Sequence, residues 1–207
     1  MRITLPRISS GNVDWSCDNL GAYDLCVVPG ESLEFLTTLV YEARAPGVAE
    51  NFVIPASFFP WAMIRHLELR GHRMLHSVNS MKDQIMELHT LILEFFCVAN
   101  AYEAGLHLLE DLISRVRGFT TLTLVNPVSQ LPISMIAIHG ETLVHLNIRH
   151  PRRAGDPYLV VMDAEPYFPE SIDELRASCP HISSLTLDVA MGSLPVSTPS
   201  RVSITKY

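Results

Sequence analysis

One hydrophobic pattern recurs along the chain: an apolar residue, two variable positions, a leucine, one variable position and a further apolar residue. Five copies stand at Ile64/Leu67/Leu69, Leu88/Leu91/Leu93, Phe119/Leu122/Leu124, Leu143/Leu146/Ile148 and Ile182/Leu185/Leu187, with a weaker one at Leu20/Tyr23/Leu25. From first residue to first residue the five are 24, 31, 24 and 39 positions apart. The last two apolar residues of each copy lie two apart, the period of a strand with one buried face. Each copy is therefore predicted to be a short strand.

The intervening segments have helical and turn character. Asn100 and Glu103 have capping-box spacing, and Leu106, Leu109, Ile113 and Val116 follow at helical intervals as far as Gly118. Ser171 and Glu174 repeat the capping spacing ahead of Leu175 to Ser178. Ser80 is placed to cap a turn running to Met86, and Pro132 to Ile138 to form another that stops at Gly140. A helix between consecutive strands returns the chain to the same end, so the strands are predicted to pair in parallel. A strand–helix unit this small cannot bury its own apolar face. Stacking unit on unit can, and that predicts a solenoid with one shared column of leucines.

The flanks divide the chain into three parts. Residues 1–60 form an N-terminal segment in which Glu31 to Arg44 is predicted to be a capping helix, with Leu33, Leu36 and Val40 on one side and Phe35, Leu39 and Ala43 beside it. Pro46-Gly47 stops it. Residues 61–190 hold the irregular repeats, interrupted by the Pro- and charge-rich insertion Pro151 to Pro169, whose apolar run Tyr158 to Met162 is expected to add a strand or pack on the convex side. Residues 191–207, rich in Ser, Pro and Thr, are expected to be a mobile tail. That would leave the last strand bare, as at the end of a truncated product or beneath a partner.

The segments Met63 to Arg70, Phe119 to Asn126 and Ser178 to Asp188, with the phrase His139 to Ile148, resemble a leucine-rich-repeat protein. More narrowly they resemble the irregular repeats of filamentous-fungal F-box-type proteins, in which a Cys-Pro step from helix into strand, here Cys179-Pro180, is frequent. The resemblance covers roughly residues 60 to 190. It implies an α/β fold, a leucine-rich-repeat-like solenoid with a parallel sheet and irregular helical repeats, and a recognition module without chemistry of its own. It also implies an alternative, a degenerate or truncated substrate-recognition subunit of an SCF-type ubiquitin ligase. Two features depart from the pattern. Asn126 is the lone candidate for the internal asparagine ladder of regular repeats, and the apolar helical pattern of an F-box does not follow Leu5-Pro6.

Composition narrows the partners. Hydrophobic residues make up 48 % of 207, ample for a core. A net charge of −7 argues against general nucleic-acid binding and against docking on an anionic membrane. The start lacks the apolar region of a secretory signal, and Phe52 to Ile64 is too short to span a bilayer and is broken by Pro55 and Pro60. Cys17, Cys26, Cys97 and Cys179 are scattered, as expected of reduced thiols in a cytoplasmic or nuclear protein.

No catalytic, cofactor-binding or metal-binding set emerges. His66-Leu-Glu68 is half of a zinc-deaminase signature without the Pro-Cys-x-x-Cys that completes it. His66, His72 and His76 read as surface residues, and Cys179-Pro180-His181 as a core thiol beside a turn, since sequence neighbours rarely meet as nucleophile and base. The basic run Arg149 to Arg153 reads as a solvated loop, with an acidic partner or a phosphate as the alternative.

What remains is the face opposite the leucines. In register, the alternate residues form three columns: His66, Thr90, Thr121, His145 and Ser184; Glu68, Ile92, Thr123, Asn147 and Thr186; Arg70, Glu94, Val125, Arg149 and Asp188. Five parallel strands present a surface about 20 Å wide. A protein partner of unknown identity is expected to bind it.

Overall fold

The computed structural model describes residues 11–17, 36–43, 61–71, 83–95, 102–127, 130–149, 167–189 and 200–205. Among these residues eight strands form one sheet: β1 (Gly11–Cys17), β2 (Leu36–Ala43), β3 (His66–Gly71), β4 (Thr90–Phe95), β5 (Thr121–Val125), β6 (His145–Arg149), β7 (Ser184–Val189) and β8 (Ser200–Thr205). Their spatial order is their chain order, β1 to β8. The first seven pair in parallel, and β8 closes on β7 antiparallel.

The register follows the repeated leucine. Leu39, Leu67, Leu91, Leu122, Leu146 and Leu185 are successive partners across β2 to β7. The next apolar row runs Tyr41, Leu69, Leu93, Leu124, Ile148 and Leu187. Because a one-residue slip would turn every leucine outward, this apolar alternation is what fixes the register. The leading residues Ile64, Leu88, Phe119, Leu143 and Ile182 are buried in a single cluster with the leucines of these rows and Ile148.

Among the described residues, three α-helices lie on that side. α1 (Tyr102–Arg115) contributes Leu109, Leu112 and Ile113, with Val116 just beyond its end; α2 (Ile133–Ala137) contributes Ile133 and Ile136; α3 (Pro169–Ser178) contributes Leu175. The architecture is therefore α/β, an open parallel sheet whose leucine face packs against the helices.

A second repetition lies at the start of each strand, in the backbone. The Arg65 carbonyl accepts from the N–H groups of His89 and Thr90, His89 O from Thr120 and Thr121, Thr120 O from Val144 and His145, and Val144 O from Ser183 and Ser184, at 2.8–3.2 Å. Each carbonyl thus takes two backbone donors at the start of the next strand, and at His89 O and Val144 O the hydroxyls of Thr120 and Ser183 donate as well.

Four expectations are corrected. The segment predicted as a capping helix over Glu31 to Arg44 holds strand β2 instead. Its apolar residues satisfy helical spacing, but Leu36/Leu39/Tyr41 also fits the repeated template, and the Thr37-Thr38-Leu39-Val40-Tyr41 run is β-branched and aromatic. In place of a wholly mobile tail over 191–207, Ser200–Thr205 pairs with β7, where Arg201-Val-Ser-Ile-Thr205 alternates as a strand should. The strands extend to β1 and β2, so the sheet is wider than five. Finally, α3 begins at Pro169, suited to a first helical position, so Ser171 lies inside the first turn and does not cap it. Leu20/Tyr23/Leu25, Ser80, Asn100 and the run Tyr158 to Met162 lie outside the described residues.

Two residues adopt the left-handed conformation at the flanks of β5: Gly118 with φ 75° and Asn126 with φ 55°. Asn is among the few residues other than Gly that tolerate it. The buried Asn126 N–H donates to Arg149 O at 2.8 Å, carrying the β5–β6 pairing one step past the strand.

Candidate functional site

Alternate residues of β3 to β7 project from the sheet opposite the leucines, and the register places the columns as the sequence pattern implies. Thr38, His66, Thr90, Thr121, His145 and Ser184 are successive partners, as are Val40, Glu68, Ile92, Thr123, Asn147 and Thr186. The third column runs Glu42, Arg70, Glu94, Val125 and Arg149. Ile148 pairs with Leu187, which puts Asp188 beside Arg149 at the next step. Thr38 and Val40 extend the face onto β2, and sequence reasoning missed them because it assigned that segment to a helix. The template match at Leu36/Leu39/Tyr41 was the signal that could have found them.

The face is not uniformly open. His145 is exposed and most of its neighbours are half-buried, but the third column sinks at its far end: Val125 is 3 % exposed and Asp188 8 %. These two are corrections to an exposed column. The Asp188 carbonyl there accepts from Tyr167 N–H at 3.0 Å. Tyr167, itself buried, donates its hydroxyl to Leu131 O at 2.8 Å. Its burial drives the phenol pKa upward, only partly offset by that hydrogen bond.

Charge divides the face in two. On β3 and β4, Arg70 pairs with Glu68 and reaches Glu94 at 3.8 Å, while His66 Nε2 lies 3.8 Å from Glu68. Arg70 and the two glutamates therefore engage one another, with His66 beside them. On β5 to β7 the columns are Thr121, His145 and Ser184, then Thr123, Asn147 and Thr186, polar groups without formal charge apart from the imidazole. Arg149 ends this half. Its Nε and the Oδ1 of Asn147 are enclosed without a hydrogen-bond partner, and among the described residues Arg149 has no ion pair.

Other chemistry-bearing residues do not converge. Cys179 is buried among apolar side chains, its thiol pKa raised by burial, whereas His181 is exposed. The groove beside Cys179, lined by Ile172, Leu175, Arg176, Ile182, Ser183 and Leu185, has a volume of about 70 Å³. Ligand clefts commonly measure about 300–1,000 Å³. Among the described residues no three His, Cys, Asp or Glu side chains lie together as metal ligands, and no helix is long and apolar enough to cross a membrane.

His139 has a structural role. It is buried, with its ring tilted 58° to Phe119 at 4.6 Å. A carbonyl only accepts, so Nε2, 3.0 Å from Ile113 O, carries the proton, and Nδ1 faces the Phe119 N–H at 3.5 Å. Burial holds its pKa below the ordinary 6.5, opposed by the bond to Ile113. The neutral ring thereby ties α1 to the start of β5.

No protein-family model matches the chain, and no curated protein or solved structure matches it.

Proposed function

We propose that the chain is a leucine-rich-repeat-type solenoid that binds another protein through the outer face of its sheet and performs no chemistry itself. The observation that carries this reading is the register: unit after unit sets the same outer positions beside one another, giving a shared outer face across β2 to β7 in which polar residues outnumber Val40, Ile92 and Val125. Chain-ordered strands, helices gathered on the leucine side and the recurring two-donor carbonyls are what stacked units produce. Seven parallel strands make a surface about 30 Å wide, enough for an interface of standard size.

The test is affinity capture from extracts with the unaltered chain, Thr123→Arg on the outer face and Asp173→Arg on α3. Partners held by the unaltered chain and Asp173→Arg but lost by Thr123→Arg support the reading. Partners kept by Thr123→Arg and lost by Asp173→Arg would move the site to the helices. Recovery of an SCF adaptor among the partners would favour the ubiquitin-ligase alternative, which rests on the sequence resemblance. The intracellular address, cytoplasm or nucleus, is proposed on cysteine usage.

A further inference from the structure

We infer that the β6 end of the outer face, at Asn147 and Arg149, is the anchor for a carboxylate on the partner polypeptide, an Asp or Glu side chain in an extended segment. This deepens the outer-face reading and rests on it. Among the described side chains of the candidate face, Glu68, Arg70 and Glu94 pair with one another, His66 lies beside Glu68, and Asp188 has a contact of its own. Arg149 is the exception among the described residues.

Two positions back on the same strand and the same side stands Asn147, whose Oδ1 needs a donor just as Arg149 Nε–H needs an acceptor. A donor and an acceptor one strand period apart complement a peptide segment, which offers an N–H and a carboxylate at similar spacing. The guanidinium fork matches a carboxylate in two parallel hydrogen bonds. Both atoms are buried in the unbound chain, and rotamer changes of the kind common when interfaces form would bring them to the ligand. Thr123 and Thr186, flanking Asn147 in the register, supply hydroxyl-bearing neighbours for the same segment.

The ligand is one carboxylate, not an acidic run or a phosphate. A formal net charge of −7 repels a polyanion, and one guanidinium beside the buried Asp188 is poorly matched to a dianion.

The probe is a library of random dodecapeptides on phage, panned against the full chain, against Arg149→Gln and Arg149→Glu, and against Arg176→Gln, which removes the same charge from exposed α3. Thr123→Arg is assayed against the selected peptides, and thermal midpoints confirm that each variant is folded. Peptides selected by the unaltered chain should share an acidic residue at one position. Their affinity should fall about tenfold or more with Arg149→Gln and stay unchanged with Arg176→Gln. Panning Arg149→Glu should recover a basic residue at that position.

Peptides that lose affinity with Thr123→Arg but keep it with Arg149→Gln would overturn the anchor and leave the outer-face reading standing. Peptides indifferent to both would overturn both. Phosphoserine at the acidic position binding more tightly than Asp or Glu would overturn the carboxylate. A panning that recovers nothing above background overturns the anchor, and the capture experiment then decides the face.

Discussion

The outer faces of β3–β4 and β5–β7 share one register and one leucine core, yet they satisfy their polar atoms in opposite ways. On β3–β4 an arginine pairs with two glutamates, one of which also lies 3.8 Å from a histidine. On β5–β7 hydroxyls, an amide and an imidazole accompany an arginine that forms no ion pair among the described residues, while Asp188 is buried with a contact of its own. A repeated backbone therefore does not impose repeated chemistry. The leucine positions hold the fold, and the alternate positions are free to differ from strand to strand. If this division is right, core substitutions should act alike in both halves and face substitutions should not.

The largest expected effect tests the shared core. Leu67→Ala on β3 and Leu122→Ala on β5 remove fully buried side chains from the same cluster. Each should cost about 2–5 kcal/mol, the range for truncating a buried leucine. Denaturant unfolding followed by circular dichroism should show a single transition displaced in both variants. A second transition, moved by only one of them, would mean that the halves fold separately.

The next effect lies where two connections meet. A Cβ on Gly140, between α2 and β6, would stand 1.9 Å from the carbonyl oxygen of Ser178 at the end of α3 and 3.1 Å from that of Ala137. Both obstacles are backbone, so relief requires one element to shift. Gly140→Ala should therefore cost about 1–3 kcal/mol as overpacking does, read as a lowered unfolding midpoint. Gly118→Ala meets only the Thr142 side chain at 3.3 Å but must hold a φ of 75°. It should cost less, about 1 kcal/mol. The reverse order would show that α2 and α3 move apart readily to admit the methyl group.

These cases mark what the sequence could and could not disclose. The strands β3 to β7, their parallel pairing and the order of all three columns follow from apolar residues two apart, because register and facing are consequences of that period. β2 was hidden because Leu33, Leu36, Val40 and their neighbours satisfy helical and strand periods together. The depth of Val125 and Asp188 depends on what covers the sheet from elsewhere in the chain, which no local pattern encodes. The same holds for the close approach at Gly140. Which charges cancel was similarly unreadable: Glu68, Arg70 and Glu94 form one set because their strands are adjacent, whereas Arg149 lies two strands from Glu94.

A smaller effect, confined to the half that contains α1 and β5, is pH dependence. The His139 pKa is lowered on folding, so the unfolded chain binds the proton more readily. His139 therefore contributes its full stabilisation above the ordinary value of 6.5, and the contribution declines as pH falls through 6.5 toward the folded-state pKa. Protonation would also set an Nδ1–H against the Phe119 N–H. His139→Phe should cost about 1–2 kcal/mol at pH 7, because the Ile113 carbonyl loses its donor. It should also flatten the decline between pH 7 and 5. An undiminished decline in the variant would assign the pH dependence to other groups.

The smallest effect bears most directly on the contrast between the halves. Arg70→Met removes the cation that separates Glu68 from Glu94. The exposure of Arg70 limits its ion pairs to about 0–1 kcal/mol. The loss should shrink in high salt, which screens the remaining repulsion. Arg149→Met removes a cation that has no ion pair among the described residues and an enclosed Nε–H without an acceptor. Exchanging an unsatisfied polar group for an apolar one of similar length should leave stability unchanged or raise it by about 1 kcal/mol. Paired urea titrations at low and high salt would separate the two. A greater loss from Arg149→Met than from Arg70→Met would mean that Arg149 supports the fold itself. An arginine that the isolated chain can lose without penalty is instead one whose use lies outside the chain, which is the role inferred for it at the β6 end of the face.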